Sequence, residues 1–341
     1  MEVIVDWEIY EVEFYKKAKR NKKSEEYCHN WLKYAKKLYD KHLPIIYNQE
    51  HLCLLLGYQE QYVFSASNSP AAFYRYYEIP KKNGGVRKIS EPLPSLKEIQ
   101  KWILDNILVN VETSVYTKAY VKNKSVKDNA RFHRKQKIVL SLDVKKFFDS
   151  IRSDQIYELF LQLGYSDDVV VMLTNLCCLN GCLPQGSPTS PMLSNIVLRD
   201  FDNKIGKYTR EKKIRYTRYA DDMTFSGDFN PGFVIALVKK ELNELGLKLN
   251  QEKTRSRGKG QRQEVTGIVV NEKMQLPRNE RKKIRQEMYY IRKFGLESHM
   301  CYCNMNKANY VAHLKGKIEY ALFINPNDYK LKEYLDYLRN L

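Results

Sequence analysis

Residues 216–228 read YTRYADDMTFSGD. The run before the two acids, Ile214–Tyr219, alternates Ile-Arg-Tyr-Thr-Arg-Tyr, and Met223–Ser226 is a second short β-prone run. This spacing predicts a β-hairpin with Asp221 and Asp222 at its tip. Adjacent like charges are costly unless something positive joins them. A divalent cation would do so, and hard oxygen donors select Mg²⁺, with Mn²⁺ as a substitute. Turns also favour aspartate, so two acids alone read first as a solvated loop. The rest of the chain decides between these.

A third acid lies upstream. Residues 138–143 read IVLSLD, an apolar, β-branched run ending in Asp143. A buried strand that delivers a carboxylate at its end places a ligand on a rigid element. If this strand neighbours the hairpin, the three acids converge on a two-Mg²⁺ site for in-line phosphoryl transfer, with metals roughly 3.5–4 Å apart.

Asp143 in DVKKFFDSI, LPQGSPTSP at 183–191 and YADD at 219–222 resemble, in order and spacing, polymerase motifs A, B and C of reverse transcriptases. More narrowly, the chain resembles bacterial retron reverse transcriptases. Asn129-Ala130-Arg131-Phe132-His133 is similar to their NAxxH element, and Val265-Thr266-Gly267 to their VTG triplet. The similarity runs from about residue 45 to the C-terminus; residues 1–44 match nothing of that family.

The resemblance implies an α+β right-hand polymerase with fingers, an antiparallel palm sheet backed by helices, and a helical thumb. Residues 1–44 would be an N-terminal helical extension and 45–135 the fingers with NAxxH. Residues 136–270 would be the palm with motifs A to D and a VTG strand, a fingers segment being interleaved near 150–190. Residues 271–341 would be the RNA-binding thumb.

It also implies roles for individual residues. Asp143 and Asp221 would be direct ligands of both metals; Asp222 is a weaker ligand candidate with an outer position as the alternative. Lys81 or Lys82, with Arg87, would meet the triphosphate, the alternative being an exposed basic hairpin on template backbone. Strand alternation puts Phe147 and Phe148 on opposite sides, and the family makes Phe148 the steric gate under the deoxyribose. Gln185 would serve the sugar or template base, and Gly186 would let backbone approach the nucleotide. Lys253, in LNQEKT, matches the lysine proposed to protonate pyrophosphate. Asn129, His133, Val265, Thr266 and Gly267, with Lys282 and Lys283 on a thumb helix, would contact RNA; for His133 a structural role stands as the alternative. The implied activity is RNA-directed DNA synthesis from dNTPs on a cognate noncoding RNA. It would be primed by an RNA 2′-hydroxyl to give branched multicopy cDNA, often within anti-phage defence beside an effector protein. The stretch after Gly267 has no carboxylate cluster, so template removal is expected of a separate ribonuclease H. A group II intron or diversity-generating enzyme is disfavoured by NAxxH and VTG, and a vestigial RNA-binding scaffold by the intact acids.

Composition agrees. The chain has 341 residues, 58 Lys+Arg against 40 Asp+Glu and a net charge of +18, which points to a polyanionic partner. Its 26 tyrosines suit base stacking, although most are expected in core and half-buried surface. No uninterrupted apolar run is long enough to span a membrane. The acidic start lacks a leader's basic end, so a cytoplasmic location is expected. The seven cysteines follow no regular framework and are expected to be reduced thiols. That includes Cys177, Cys178 and Cys182. His299, Cys301, Cys303 and His313 fit no common zinc spacing.

Local signals predict further elements. Trp31, Tyr34, Ala35, Leu38 and Tyr39 would form a helical stripe near the N-terminus. The basic run Lys16–Lys23 reads as a solvated face or a backbone-binding patch. Asn48–Gly57 reads as a helix ended by glycine. Asn83-Gly84-Gly85 reads as a hairpin turn. Helices are expected over 95–108, 155–163, 169–178, 192–205, 233–245, 280–294, 308–321 and 329–338. Asp149 reads as a turn acid and Asp154 as a helix cap.

Overall fold

The computed structural model describes residues 6–81, 84–302 and 309–341. In chain order the elements are α1 (Trp7–Arg20), α2 (Glu25–Tyr39), α3 (Gln49–Leu56), α4 (Glu60–Asn68), β1 (Tyr74–Pro80), β2 (Val86–Pro92) and α5 (Pro94–Asn106). Then come α6 (Val126–Phe132), β3 (Ile138–Asp143), α7 (Phe147–Ser150), α8 (Ser153–Leu163), α9 (Asp167–Cys177), α10 (Ser190–Val197) and α11 (Arg199–Glu211). β4 (Arg215–Tyr219), β5 (Asp222–Gly227), α12 (Pro231–Glu244), β6 (Arg255–Gly258), β7 (Glu264–Val265) and β8 (Ile268–Val269) follow. The chain closes with α13 (Arg278–Phe294), α14 (Leu296–Tyr302), α15 (Tyr310–Ile324) and α16 (Tyr329–Arg339). It divides into two compact units that interleave in sequence: residues 1–114, 145–201 and 244–248, and residues 115–144, 202–243 and 249–341.

The first unit is built on α9. Its Val169, Val170, Leu173 and Leu176 are buried, and it packs against α4, α5 and α8. Burial pushes the Cys177 thiol at its end up to about 12, so that sulfur stays a protonated apolar filler. α8 begins differently from expectation. The Arg152 backbone N–H donates to Gln155 Oε1 at 2.9 Å, so Arg152 occupies the cap position. Asp154 lies in the first turn, 3.3 Å from the Arg152 guanidinium. In α2 the buried residues are Cys28, Leu32, Ala35 and Leu38. The stripe is thus rotated from the expected one, leaving Trp31, Tyr34 and Tyr39 half-buried on its flank. Asn48 caps α3 through His51 N–H, and Gly57, at φ 72°, ends it as expected.

The second unit carries an antiparallel sheet in the order β4-β5-β3-β6. Tyr216 and Phe225 face each other across β4 and β5 and stack at 4.7 Å between centroids, a cross-strand aromatic pair. β7 and β8 form a separate small hairpin. Val265, Ile268 and Val270 pack there with Ala130, Val139 and Ile324. At the C-terminus Ile284, Met288, Leu314, Ile318 and Leu335 form the core of a helical layer. The helix expected over 192–205 is two helices, broken at Leu198.

Beneath the sheet lies a buried ion pair. Arg218 and Asp202 both have 0% exposure. Arg218 Nε and Nη2 donate to Asp202 Oδ1 and Oδ2 at 2.9 and 2.7 Å, the bidentate fork favoured by guanidinium and carboxylate. Thr117 and Tyr216 hydroxyls donate to the same carboxylate at 3.0 and 2.7 Å. Removing one partner from such a pair strands a buried charge and costs about 3–5 kcal/mol. Asp202→Asn is therefore expected to lower the free energy of unfolding by about 3 kcal/mol, read by urea denaturation; a loss below about 1 kcal/mol would refute the assignment.

Candidate active site

The two acids meet the third as the spacing predicts. β4 and β5 are joined through Ala220 and Asp221, Ala220 adopting φ 58°. β5 pairs with β3 so that Asp222 lies opposite Asp143. The Val144 N–H donates to the Asp221 carbonyl at 3.2 Å. Arg218 Nη1 donates to the Ala220 carbonyl at 3.0 Å, so the buried ion pair holds the turn from below.

Asp143 is buried, with 4% exposure. Its Oδ1 accepts from Asn250 Nδ2 at 2.9 Å and its Oδ2 from the Lys253 ammonium at 2.7 Å. Asp222 is exposed on one side. Desolvation by the protein beneath it, then the charges of Asp221 and Asp143, push its carboxyl up to about 7, with Lys253 opposing. The hydrogen bond to Asp143 in turn raises the Lys253 pKa and keeps that ammonium charged. Lys253, matched in the sequence to the lysine proposed to protonate pyrophosphate, here forms an ion pair with Asp143.

The described His, Cys, Asp and Glu residues contain no group of three or more arranged to hold a metal ion. Both Asp143 oxygens are taken by Asn250 and Lys253. The donor chemistry nonetheless fits a hard cation: three carboxylates share one corner, partly offset by the Lys253 ammonium. His299 instead shares a hydrogen bond of 3.2 Å with the Tyr310 hydroxyl, and Cys303 lies outside the described residues.

The expected nucleotide-binding residues other than Lys253 lie in the first unit. Lys81 and Arg87 are exposed on the β1–β2 hairpin, where Arg87 pairs with Ile79; Lys82 lies outside the described residues. Of the two phenylalanines, Phe147 is buried at 6% exposure and Phe148 half-buried. Gln185 and Gly186 sit against the hairpin: Ser90 N–H donates to the Gln185 carbonyl at 2.9 Å. A Cβ on Gly186, at φ 136°, would lie 2.5 Å from the Ser90 carbonyl oxygen. Within the protein, the close approach at this glycine is to the hairpin backbone. Gln100, which sequence reasoning passed over, anchors this loop. Its amide donates to Tyr74 Oη and the Leu176 carbonyl, both at 2.8 Å, and its Oε1 accepts from Ser187 Oγ at 2.8 Å. A glutamine inside the apolar face of α5 was the available signal.

The NAxxH and VTG residues are brought together, but largely out of reach of RNA. Asn129 and His133 have 0% exposure and Val265 1%, so none of these side chains has surface to offer RNA. Asn129 Nδ2 donates to Thr266 Oγ1 at 3.5 Å, and Thr217 Oγ1 donates to Asn129 Oδ1 at 2.5 Å. His133 Nε2 and Thr217 Oγ1 are 2.7 Å apart, as are His133 Nδ1 and Ser226 Oγ. With the Thr217 proton spent on Asn129, His133 donates from Nε2 and accepts at Nδ1. One chain of hydrogen bonds thus links NAxxH, VTG and both strands of the YADD hairpin. Thr266 and Gly267, expected within a strand, form the turn between β7 and β8 at φ 46° and 80°. No protein atom lies within 4 Å of a Cβ built on Gly267, so within the protein this glycine serves the turn conformation. Lys282 and Lys283 are exposed on α13.

Burial, with smaller contributions from Arg215 and Lys118, lowers the His133 pKa from 6.5 to about 3. An unfolded chain takes up this proton as pH falls through 6.5, while the folded chain resists until about 3. The neutral imidazole therefore costs stability progressively as pH falls through that window. Between pH 6.5 and 5, wild type is expected to lose about 2 kcal/mol more than His133→Gln in urea denaturation. Equal losses would place the histidine in water.

The profile of the family described as reverse transcriptase (RNA-dependent DNA polymerase) matches residues 79–270. Retron Ec86 reverse transcriptase of Escherichia coli is 30% identical over 266 residues, which span 75% of this chain and 78% of that one. Retron Mx65 reverse transcriptase of Myxococcus xanthus is 32% identical over 309 residues, 83% of this chain and 70% of that one. Retron Ec83 reverse transcriptase of Escherichia coli is 31% identical over 276 residues, 75% and 85% respectively. The family uses divalent metal ions, an RNA template and dNTPs, and its right-hand polymerase fold accounts for the antiparallel sheet that carries the three aspartates. Motifs, register and relatives agree: the chain belongs to the reverse transcriptases, and among them to the bacterial retron enzymes.

Proposed function

We propose that this RNA-directed DNA polymerase binds one cognate structured noncoding RNA and copies part of it into branched multicopy single-stranded DNA. Synthesis starts from a 2′-hydroxyl of that RNA, and the product serves anti-phage defence with an effector protein. A separate ribonuclease H removes the template. The observation that carries the catalytic part is the register that sets Asp222 opposite Asp143 beside Asp221.

Asp143, Asp221 and Asp222 would hold two Mg²⁺, with Mn²⁺ as a substitute. When bound, the metals activate the 3′-hydroxyl and stabilise the charge on the phosphates. The remaining work falls to side chains. Lys81 and Arg87 meet the triphosphate, Arg87 as a fork and Lys81 as a point charge; Lys82 belongs to the same basic hairpin. Phe148 walls off the sugar's 2′ position and Gln185 orients the nucleotide. Lys253, once released from Asp143, is the proton donor to pyrophosphate. Lys282 and Lys283, with the exposed Thr266–Gly267 turn, contribute to RNA binding.

Asp221→Asn is expected to keep its circular dichroism and melting temperature while primer extension with Mg²⁺ falls at least about a thousandfold. Extension near the wild-type rate would overturn the assignment. Phe148→Ala is expected to lower the ratio of kcat/KM for dNTP over rNTP by about a hundredfold, since the ring excludes a hydroxyl by contact. An unchanged ratio in an active variant would move the gate to another residue.

A further inference from the structure

The first unit holds a cleft of about 1060 Å³ between α1, α2 and the segment that follows them. It is lined by aromatic rings, among them Tyr10, Phe14, Tyr27, Tyr39 and Tyr47. The rings are coupled: the Tyr10 and Tyr47 hydroxyls share a hydrogen bond, Phe14 lies 6.1 Å from Tyr47, and Tyr47 stacks on His51 at 19°. Volume and lining are those of a small-molecule site, which is usually apolar with a few placed polar groups.

Charge gathers at the same place. Residues 16–23 read KKAKRNKK, six cations in eight positions. Lys17 and Lys23 from this run line the cleft, and Lys23 Nζ sits 5.1 Å above the Tyr27 ring. Lys16 is taken by Glu13 at 2.8 Å, whereas no ion pair to Lys17 or Lys23 is found among the described residues. Two asparagines of the lining are held in place by the protein. Asn110 Nδ2 donates to the carbonyls of His42 and Asn106 at 2.8 and 3.0 Å, and Asn106 Nδ2 to the Trp102 carbonyl at 2.9 Å. The amide oxygens of Asn106 and Asn110, both residues lining the cleft, accept no protein hydrogen bond among the described residues. They are acceptors suited to a base amino group or a ribose hydroxyl.

Aromatic faces, lysines beside them and amide acceptors in the same lining are the parts that hold an unpaired nucleotide: rings stack the base, cations take the phosphate, and amides read an edge. We infer that this cleft is a second nucleic-acid site, which captures an unpaired nucleotide of the bound RNA. The inference rests on the proposed RNA-binding polymerase and adds to it a role for residues 1–44, which no motif explained. A mostly apolar cleft offers equally good packing to a peptide. The basic run at its rim selects RNA, because it attracts phosphate and repels a cationic partner.

The test uses the full-length protein stripped of copurifying nucleic acid. A short, unstructured, fluorescein-labelled oligoribonucleotide is titrated against wild type, Tyr27→Ala, Tyr27→Phe and Lys17→Glu/Lys23→Glu. Tyr27→Ala is expected to weaken binding about tenfold and Tyr27→Phe less than about twofold, the pattern of ring stacking. The double lysine variant, at exposed positions, should weaken binding about tenfold and flatten its salt dependence. A 4-thiouridine version of the probe should crosslink to a peptide containing Tyr27 or Tyr39. Extension of a preformed primer–template should stay at the wild-type rate in every variant. If wild type neither binds RNA nor extends a primer, the polymerase reading itself fails. If wild type does both and the variants bind equally well, with crosslinks elsewhere, only the cleft inference is overturned. Equal affinity for the matching oligodeoxyribonucleotide would overturn its assignment to RNA.

Discussion

A guanidinium with no water around it sets the terms for the active corner. Arg218 lies on β4, just before the two-residue turn that carries Asp221 and leads into Asp222. Its fork is locked onto Asp202, and its remaining reach goes to the Ala220 carbonyl. An arginine buried in this way has one low-energy position, because any other leaves charge unpaired in a low dielectric. The turn inherits that rigidity. Ala220 at φ 58° and three neighbouring carboxylates are each unfavourable alone. Both persist because β3, β5 and the ion pair fix the backbone from two sides.

The same logic extends outward through neutral groups. His133 is enclosed between Thr217 and Ser226, and Asn129 between Thr217 and Thr266. Every polar atom of such a buried chain has to be satisfied in one arrangement, which ties the β7–β8 turn to the hairpin that bears Asp221 and Asp222. The two retron-like elements therefore meet inside the protein and brace the polymerase sheet. Their remaining outward surface is the turn itself: Gly267 is exposed and Thr266 half-buried.

What was legible in the sequence is what depends on local period and on motif identity. Alternation predicted the YADD hairpin, and the apolar run IVLSLD predicted its partner strand; the register then put Asp143 opposite Asp222. Glycine and asparagine signals placed both ends of α3. Tertiary choices were not legible. VTGIVV reads as one strand, but Thr266 and Gly267 turn it into a hairpin, a conformation that β-branched threonine rarely adopts and that no period encodes. His133 looked equally suited to RNA contact or to a structural role until its partners on β4 and β5 were known. Gln100 carries no motif, and only its three hydrogen bonds reveal that it ties β1, α9 and the Gln185–Gly186 loop together.

Lys253 shows how the charge of the acidic corner is managed from within. Its ammonium reaches Asp143 at 2.7 Å although most of its side chain stays in water. A half-exposed ion pair of this kind contributes little to stability. Its significance lies in exclusivity, since Asp143 cannot keep both of its present partners and also present two free oxygens to a cation. Asn250 is held in place because its own N–H donates to the Asp143 carbonyl at 2.7 Å, whereas the lysine is tethered only by its flexible stem. The exposed lysine is therefore the cheaper group to displace. Charge in this corner can pass from a protein cation to a bound one without moving the strands, because the lysine is the partner that can swing away.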